Sequence, residues 1–310
     1  MNLGADPAEN HRILQEILSG TPGKLELPPG THELADGLRV PGGWTITGDA
    51  DTWLAVVERT GHPVLHVLGS DVSISDLGLR PAPSDPGEHG GDRGTGLTIG
   101  EYLYASPPDW ISGVEVHRLR VDHGALRTAN AVGVMGAVRD VIMRDVTVTG
   151  GYTGLAVHWG AVGDDVSTLV GPTYHPHNLD ISGLMVFDAV EGFYLSSVHD
   201  VRVAGAVLTN VEMGFRLLPG DNTDRFVKSP DIGSRIEISD VDVSWSGPLY
   251  AVRVAGWGRS EIDGAVTVLD YRDTVIRDCH LRGQGTAGSW SPILVEQAPG
   301  VTLESLTITT

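Results

Sequence analysis

Residues that suit acid–base chemistry occupy equivalent positions of a short repeated unit. The unit is a small residue followed by an apolar, a variable and a second apolar residue, as in residues 192–195 (Gly-Phe-Tyr-Leu). The variable position holds a phenol at Tyr194 and guanidiniums at Arg216 and Arg253, and an imidazole follows one unit at His158. Because alternate residues of a strand point to one face, we expect these side chains to form a ladder on an outward surface. An imidazole or a phenol can transfer a proton, and a guanidinium can neutralise the negative charge that develops.

A second and longer repeat predicts the elements that must position this ladder. Apolar and polar residues alternate, one small or polar residue breaks the phase, and the alternation resumes, as in residues 141–148 around Asp145. Period-two alternation predicts strands with one buried face, and strands repeated every ~20–40 residues predict a solenoid. We therefore predict an all-β fold, a right-handed parallel β-helix with three strands per coil. A β-sandwich is the alternative, and it would need hairpin turns between these strands. The other phase-breaking residues are Asp76, Arg118, Gly183, Gly205, Asp240, Asp278 and Ser305.

The two ends of the chain carry predictions about how the solenoid is closed. Apolar residues at helical spacing, including Leu14 and Leu18, predict a short helix within residues 1–20 that covers one end. The repeat runs through nearly all 310 residues, so we predict a single domain, 1–310. The last strand unit, 301–310, has no such helix, and a bare coil is open to edge pairing. Three explanations stay open, which are a homo-oligomer formed through that end, a loop folded over it, and a natural chain that continues.

Loop insertions interrupt the repeat at about residues 80–95, 101–112, 160–177, 219–234 and 256–272. The last four of these follow a short unit, so they leave the solenoid at the same corner. Loops at one corner of a solenoid line up on one side, where they would wall a groove beside the outward ladder. This shared position predicts that the ladder lies in a binding groove.

Composition excludes several kinds of partner. The net charge is −19, and nucleic-acid binding needs a basic surface, so we expect no nucleic-acid partner. No apolar stretch could span a membrane, and no signal peptide is visible at the polar N-terminus. We therefore expect no membrane partner and a cytoplasmic location, or secretion if a leader has been removed. Cys279 is the single cysteine, which excludes an internal disulfide.

The order of the first elements, a helix, a strand, a Pro-Pro-Gly turn and another strand, resembles the pectin-lyase-like β-helix proteins. That resemblance covers the fold of nearly the whole chain and selects no reaction. Residues 174–178 (Tyr-His-Pro-His-Asn) resemble the Asp-Pro-His-Asp/Glu motif of the mannuronan C5-epimerases, which are β-helix enzymes. Pro176 and His177 match that motif, whereas His175 replaces its first acid and Asn178 its last. The resemblance implies a proton-transfer site at His177, with basic residues that neutralise a uronate carboxylate.

The residue types independently support proton abstraction beside a uronate carboxylate. This chemistry needs a base, and it needs positive charge on the carboxylate. Arg216 or Arg253 could clamp the carboxylate with two hydrogen bonds. If the group at C4 then departs, the enzyme is a lyase, and if the proton returns, it is an epimerase. The residue set leaves both open. The candidates for the base are His177, His158 and His175, and those for the acid on the opposite face are Tyr194 and Tyr174.

The insertions contribute further candidates. We expect aromatic and charged side chains there to contact the substrate. The sequence requires no cofactor, but groove carboxylates could hold calcium. The predicted substrate-binding residues are Trp110, Tyr104, Asp224, Arg225, Lys228 and Trp257, with Glu296 beside the outward column. The predicted metal ligands are Asp164, Asp165 and Asp221.

Three classes of function remain open at this point. The first is a carbohydrate-active lyase or epimerase that binds an oligosaccharide, and the second is an intracellular cyclase or isomerase that acts on a small biosynthetic metabolite. The third is a non-catalytic β-helix, such as a phage or adhesin module. Hydrolysis ranks below lyase or epimerase chemistry, because it would need suitably spaced carboxylates, and glycosyl transfer or intramolecular cyclisation on the same carboxylates stays open. Residues 222–224 (Asn-Thr-Asp) resemble the first polygalacturonase motif, but the further motifs do not follow.

Overall fold

The computed structural model shows a parallel β-helix. The chain winds through three long parallel sheets of ten, ten and nine strands, and each complete coil adds one strand to each sheet. This is the right-handed fold that the alternation predicts. The residues that the structure describes are 3–82, 94–164, 169, 172–219, 231–247, 250–256, 258–262, 265–283 and 292–309, with the backbone alone for 258–262 and 265–269.

We number the sheets in the order in which each coil passes through them. Sheet 1 contains Lys24–Glu26, Thr45–Thr47, Val72–Ser75, Val114–His117, Arg139–Arg144, His177–Ser182, His199–Ala204, Ser234–Ser239, Arg272–Arg277 and Val301–Glu304. Sheet 2 contains Gly30–Leu34, Thr52–Val56, Gly78–Arg80, Arg120–Asp122, Thr147–Thr149, Met185–Phe187, Val207–Val211, Asp242–Trp245, His280–Gly283 and Thr307–Thr309. Sheet 3 contains Leu38–Val40, Leu65–Val67, Leu97–Gly100, Val132–Met135, Thr153–His158, Glu191–Ser196, Met213–Leu218, Val252–Ala255 and Ile293–Glu296.

A residue with left-handed backbone conformation turns the chain from sheet 1 into sheet 2. The φ angle is 59° at Asp76, 55° at Asp145 and 66° at Gly183. These are phase-breaking residues of the long repeat, and the other five also have positive φ angles. Glycine and aspartate tolerate this conformation better than most residues. The turn redirects the strand so that apolar side chains before and after it face the same core.

Apolar side chains from the inner faces fill a narrow core that runs along the solenoid. In sheet 3, Phe193 and Phe215 are fully buried on neighbouring coils, and their ring centroids lie 4.7 Å apart in a stacked arrangement. Burying one large apolar side chain contributes about 1.5–3 kcal/mol. Cys279 is also buried in this core, and burial raises the pKa of its thiol to about 11. The repeat therefore stabilises the fold coil by coil, with the cysteine as a small apolar component.

The predicted N-terminal helix is present as Pro7–Leu18. It begins after Asp6, whose side chain accepts hydrogen bonds from the backbone N–H groups of Ala8 and Glu9, and such a cap stabilises a helix by about 1 kcal/mol. Leu14 and Leu18 are buried against the first coil. Within the described part of the chain, no helix is both long and apolar enough to cross a membrane.

The insertions that follow sheet 3 contain secondary structure of their own. Leu103–Tyr104, Gly160–Val162 and Thr173–Tyr174 form a small side sheet, so two of these insertions contact each other. Gly258–Ile262 and Ala265–Leu269 form an antiparallel hairpin. All of these strands leave the solenoid at the corner between sheet 3 and sheet 1, as the spacing of the insertions predicts.

Candidate functional site

The outward ladder of sheet 3 has the register that the alternation predicts. Cα partners run from Ala156 to Tyr194, from Tyr194 to Arg216, and from Arg216 to Arg253. His158 ends the strand that contains Ala156. His158, Tyr194, Arg216 and Arg253 therefore lie on four successive coils. We call these four residues the sheet 3 ladder.

Arg216 lies within the ladder and makes two kinds of contact. Its guanidinium carbon lies 4.1 Å from the centroid of the Tyr194 ring, which is a cation–π arrangement. Its Nε and Nη2 atoms donate hydrogen bonds to the Glu191 carboxylate at 3.0 and 3.3 Å. Within the described part of the chain, its Nη1 amino group has no hydrogen-bond partner. Arg216 is thus fixed in place and still has a donor to offer.

Glu191 is the residue that fixes Arg216. Its side chain is fully buried, and it also accepts a hydrogen bond from Thr153 Oγ1 at 2.9 Å. Burial raises the pKa of the Glu191 carboxyl group, and the charge of Arg216 together with the Thr153 hydrogen bond opposes that rise. A buried carboxylate without partners would cost several kcal/mol, so the two residues hold each other in one geometry. Since Glu191 has no exposed surface, it positions Arg216 and does not itself contact a substrate.

Arg253 extends the positive surface by one coil. Its Nη2 atom donates a hydrogen bond to Glu296 at 3.3 Å. Its Nε atom is buried and has no hydrogen-bond partner among the described residues. Buried donors without a partner are uncommon in folded proteins. The described residues therefore leave this buried donor unsatisfied, and Glu296 is paired to the same arginine.

His158 lies beside Tyr194 at the other end of the ladder. Their ring centroids are 6.1 Å apart. Tyr102, from the insertion at 101–112, packs edge-on against His158 with 5.1 Å between the ring centroids. The Nδ1–H group of His158 donates to the carbonyl oxygen of Trp159 at 2.9 Å. That hydrogen bond places the lone pair of the neutral ring on Nε2. His158 therefore has the tautomer that a general base requires.

Access to the ladder differs along its length. Tyr194 is 7% exposed and Ala156 is 3% exposed. The side chains of Arg216 and Arg253 are 23% and 33% exposed. His158, like the two arginines, is half-buried, so the phenol is the least accessible group of the ladder.

The segment 174–178 does not join the ladder. His177 begins a sheet 1 strand, where its Cα partners are Arg139 and His199. His175 is buried, its Nε2 atom is hydrogen-bonded to Thr173 Oγ1 at 2.8 Å, and its Nδ1–H group donates to a backbone carbonyl at 3.1 Å. Both ring nitrogens of His175 are therefore used inside the fold, and its role as a catalytic base stays a prediction.

His177 belongs to a stack of imidazoles at the start of sheet 1. Its ring lies 4.6 Å from that of His199, at an interplanar angle of 10°, and 5.0 Å from the ring of Trp110. Its Nδ1–H group donates to the carbonyl oxygen of His175, and that of His199 donates to Asp200. Burial lowers the pKa of His199, and the nearby His177 lowers it further. Lone pairs of parallel rings do not converge, so this pair lacks the geometry of a chelating metal site.

Asn178 has a structural role that the motif resemblance did not predict. Its φ angle is 54°, and Asp140 and Asp200, at equivalent positions on the neighbouring coils, have φ angles of 55° and 53°. Its amide nitrogen also donates a hydrogen bond to the Asp140 side chain. The position that holds the last acid of the epimerase motif is thus a left-handed turn in this chain.

Two predicted aromatic contacts are part of the fold. Tyr104 is 6% exposed, and its hydroxyl oxygen accepts a hydrogen bond from the Ala137 N–H at 2.8 Å. Burial raises the pKa of Tyr104 to about 12. Tyr104 is therefore packed into the fold, and its contact with a substrate stays a prediction. Tyr174 packs between Tyr104 and Trp110, and Trp110 keeps 37% of its surface exposed.

Of the three predicted metal ligands, only Asp164 lies in the described part of the chain, where it is exposed. Among the described residues, no group of three or more His, Cys, Asp or Glu side chains is placed to hold a metal ion. A calcium site in the insertions at 160–177 and 219–234 stays a prediction. The predicted residues outside the described ranges are Asp165, Asp221, Asp224, Arg225, Lys228 and Trp257.

Glu191 is the component of the site that the sequence interpretation missed. A signal for it does exist in the repeat. The residue before the small residue of the short unit is uncharged in the neighbouring units, as at Thr95, Asn130, Thr153 and Met213. Glu191 is the acidic exception, and it stands one coil from an arginine of the ladder.

Comparisons with known proteins agree on the fold. The structure is similar to that of a polygalacturonase from Erwinia carotovora ssp. carotovora, with a TM-score of 0.54 and 11% identity over 99% of this chain and 92% of that one. It is also similar to ORF18 of Geobacillus virus E2, with a TM-score of 0.51 and 11% identity over 94% of this chain. The chain spans 55% of the length of that phage protein.

A third similar structure is the A-module of an Azotobacter vinelandii mannuronan C-5 epimerase, at 15% identity over 99% of this chain and 92% of that one. Its TM-score of 0.36 is too low to support the epimerase resemblance. No family model matches the chain, and no curated protein matches it. The fold is therefore that of the pectin-lyase-like parallel β-helix proteins, and at these identities the similarity extends to the fold alone.

Proposed function

We propose that this protein is a carbohydrate-active enzyme that removes the C5 proton of a uronate sugar at the sheet 3 ladder. The observation that carries the proposal is the contiguity of an imidazole, a phenol and two guanidiniums on four successive coils. These groups match the three requirements of the reaction, which are a base, an acid and positive charge beside the carboxylate.

The arginines supply the carboxylate clamp. Arg216 offers Nη1, which has no partner among the described residues, and Arg253 offers the exposed part of its guanidinium, since its side chain is 33% exposed. Their Cα atoms are register partners, so the two donors come from strands about 4.8 Å apart. A carboxylate bound between them would gain charge-assisted hydrogen bonds. The same charges would stabilise the enolate that forms when the C5 proton leaves.

His158 and Tyr194 supply the proton transfers. The lone pair on His158 Nε2 takes the C5 proton, and the electrons of the C5–H bond form the enolate. In a lyase, those electrons then make the C4–C5 double bond while the C4–O bond breaks, and the Tyr194 hydroxyl gives its proton to the leaving oxygen. In an epimerase, Tyr194 gives its proton to C5 from the opposite face, and no bond to oxygen breaks.

Hydrolysis receives less support, because among the described residues the carboxylates beside the ladder are the buried Glu191 and the arginine-paired Glu296.

A substrate panel tests the proposal. Uronate oligosaccharides and polysaccharides are incubated with the protein in D₂O, with and without calcium. Ultraviolet absorbance reports an unsaturated lyase product, and proton NMR reports deuterium at C5. We expect His158→Gln and Tyr194→Phe to lower kcat by about 10²-fold or more, and Arg253→Lys to raise KM.

Matched variants outside the ladder serve as controls. His177→Gln changes an imidazole at the start of sheet 1, and Arg202→Lys changes an exposed arginine of sheet 1. Both are expected to keep the wild-type rate. Absence of both signals with every substrate would overturn the proposal, and so would equal activity of the His158 variant and the wild type.

A further inference from the structure

A second candidate site lies at the opposite end of sheet 3, where the N-terminal helix packs on the first coils. A cavity of about 180 Å³ opens there between the helix and two successive turns. Its lining contains one arginine and three histidines but a single carboxylate. Cationic and imidazole groups gathered in this way are unexpected in a chain of net charge −19. The residues that provide them are His11, Asp36, Arg39, His62 and His66.

Arg39 is the main charge of this cavity. Among the described residues, its guanidinium makes no hydrogen bond and no ion pair. The Arg39 side chain is exposed, as are Arg118 and Arg235, which are bound to Asp76 and Asp200. Arg39 and His66 are Cα partners in sheet 3, so their side chains leave the sheet on the same face of neighbouring coils. The unpaired charge is thus placed beside an imidazole.

Asp36 orients His62 at the rim of the cavity. The Nδ1–H group of His62 donates to both oxygens of Asp36, at 2.9 and 3.1 Å. Burial alone would raise the pKa of Asp36, but hydrogen bonds from Thr60 and His62 hold it below its usual value. The carboxylate therefore stays charged and fixes the orientation of the His62 ring.

The surrounding backbone is built tightly enough to hold these groups in place. Gln15 of the helix donates from Nε2 to the carbonyl oxygen of Arg39 at 3.1 Å and accepts from the Arg39 N–H at 2.8 Å. An added Cβ at Gly37 would lie 1.7 Å from the carbonyl oxygen of Pro63. This close approach requires glycine, and it brings Asp36 next to His62. His66 is fixed as well, because its Nε2–H group donates to the carbonyl oxygen of Gly100 at 2.8 Å.

We propose that this cavity binds a small oxyanion, a carboxylate or a phosphate group, between Arg39 and the surrounding imidazoles. A guanidinium binds either group with two parallel hydrogen bonds, and the imidazoles line the rest of the cavity. Five strand spacings separate Arg39 from Tyr194 along sheet 3, which is about 24 Å. The cavity is therefore a separate site, and its occupancy does not depend on the reaction proposed for the ladder.

Calorimetric titration of the full chain tests the site, with inorganic phosphate and with galacturonate as separate ligands. We expect saturable binding of at least one of them, and Arg39→Ala to weaken it by about tenfold or more. Binding of phosphate alone would identify a phosphate site, and binding of galacturonate alone a carboxylate site. Imidazole resonances of His62 and His66 should shift during the titration, while those of His117 and His280 should not.

Arg12→Ala is the matched control. Arg12 lies on the N-terminal helix that borders the cavity, but it is exposed and paired with Glu9 and Glu16. Its loss should therefore leave the affinity for both ligands unchanged. Circular dichroism establishes that each variant is folded. The proposal is overturned if neither ligand saturates the protein at millimolar concentration, or if Arg39→Ala and His62→Ala both bind as tightly as the wild type.

Discussion

At the scale of single residues, the buried polar side chains of this protein differ in whether they have hydrogen-bond partners. Glu191 is buried with two partners, an arginine and a threonine. His123 is also buried, but its Nε2 atom has no hydrogen-bond partner among the described residues. Burial lowers the pKa of His123 to about 4, although the nearby Asp122 opposes the shift. The folded state therefore holds a neutral imidazole that the unfolded chain would protonate near pH 6.5.

This difference predicts a loss of stability in acid. Because the pKa of His123 is lower in the folded state, its contribution is fully present above about pH 6.5 and is lost as the pH falls toward 4. The loss amounts to about 3 kcal/mol at most. The variant His123→Phe lacks this titrating group. We therefore expect its free energy of unfolding to fall less on acidification than that of the wild type.

Urea unfolding at about pH 7 and about pH 4.5 measures the difference. His280→Phe is the control, because His280 is an exposed histidine of sheet 2 whose side chain is 62% accessible. If the free energy of unfolding falls by the same amount in acid for the wild type and for His123→Phe, the interpretation of His123 as a neutral buried group is contradicted.

At the scale of elements, left-handed residues define where each sheet 1 strand begins and ends. One column contains the phase-breaking residues, and a second contains Asp140, Asn178 and Asp200 at the strand starts. Both columns must keep φ positive for the strands of successive coils to stay in register. This requirement accounts for Asn178 without any catalytic role.

We expect Gly205→Ala to destabilise the protein through backbone strain alone. The φ angle of Gly205 is 64°, yet an added Cβ would have a single neighbour, a backbone nitrogen at 4.0 Å. The left-handed conformation costs an alanine about 1–2 kcal/mol. Gly23→Ala is the matched control, because Gly23 has open space around it and no positive φ angle. Equal midpoints of chemical unfolding for the two variants would refute the role of the turn.

At the scale of the whole molecule, the two ends of the solenoid differ. The helix Pro7–Leu18 covers the first coil, whereas the last described coil exposes residues at core positions. Leu303 is 39% exposed and Ile308 is 47% exposed, although their Cα partners, Ile276 and Leu281, are fully buried. The strand edges of this coil are also unpaired within the described residues.

We propose that the 310-residue chain self-associates through this coil. Leu303→Lys combined with Ile308→Lys should shift the sedimentation profile toward the monomer, because charge opposes both apolar burial and edge pairing. Val57→Lys is the control, since Val57 is 44% exposed and lies far from this end in the second coil. A wild-type chain that sediments as a monomer at all accessible concentrations would refute the proposal.

The sequence by itself determined the repeat, the three-sheet architecture and the register of the ladder. These features depend on local alternation and on single phase-breaking residues, so neighbours in the chain are enough to assign each side chain to the inner or outer face. The adjacency of Tyr194, Arg216 and Arg253 follows from that assignment.

Only the tertiary structure decided which outward residues have partners and which are accessible. Glu191 meets Arg216 across a coil boundary, and His175 and Tyr104 are buried by packing of the insertions. The cavity around Arg39 combines the helix with residues of two coils. Insertions and cross-coil contacts follow no period, because their positions depend on how distant segments pack in space rather than on the alternation of neighbouring residues.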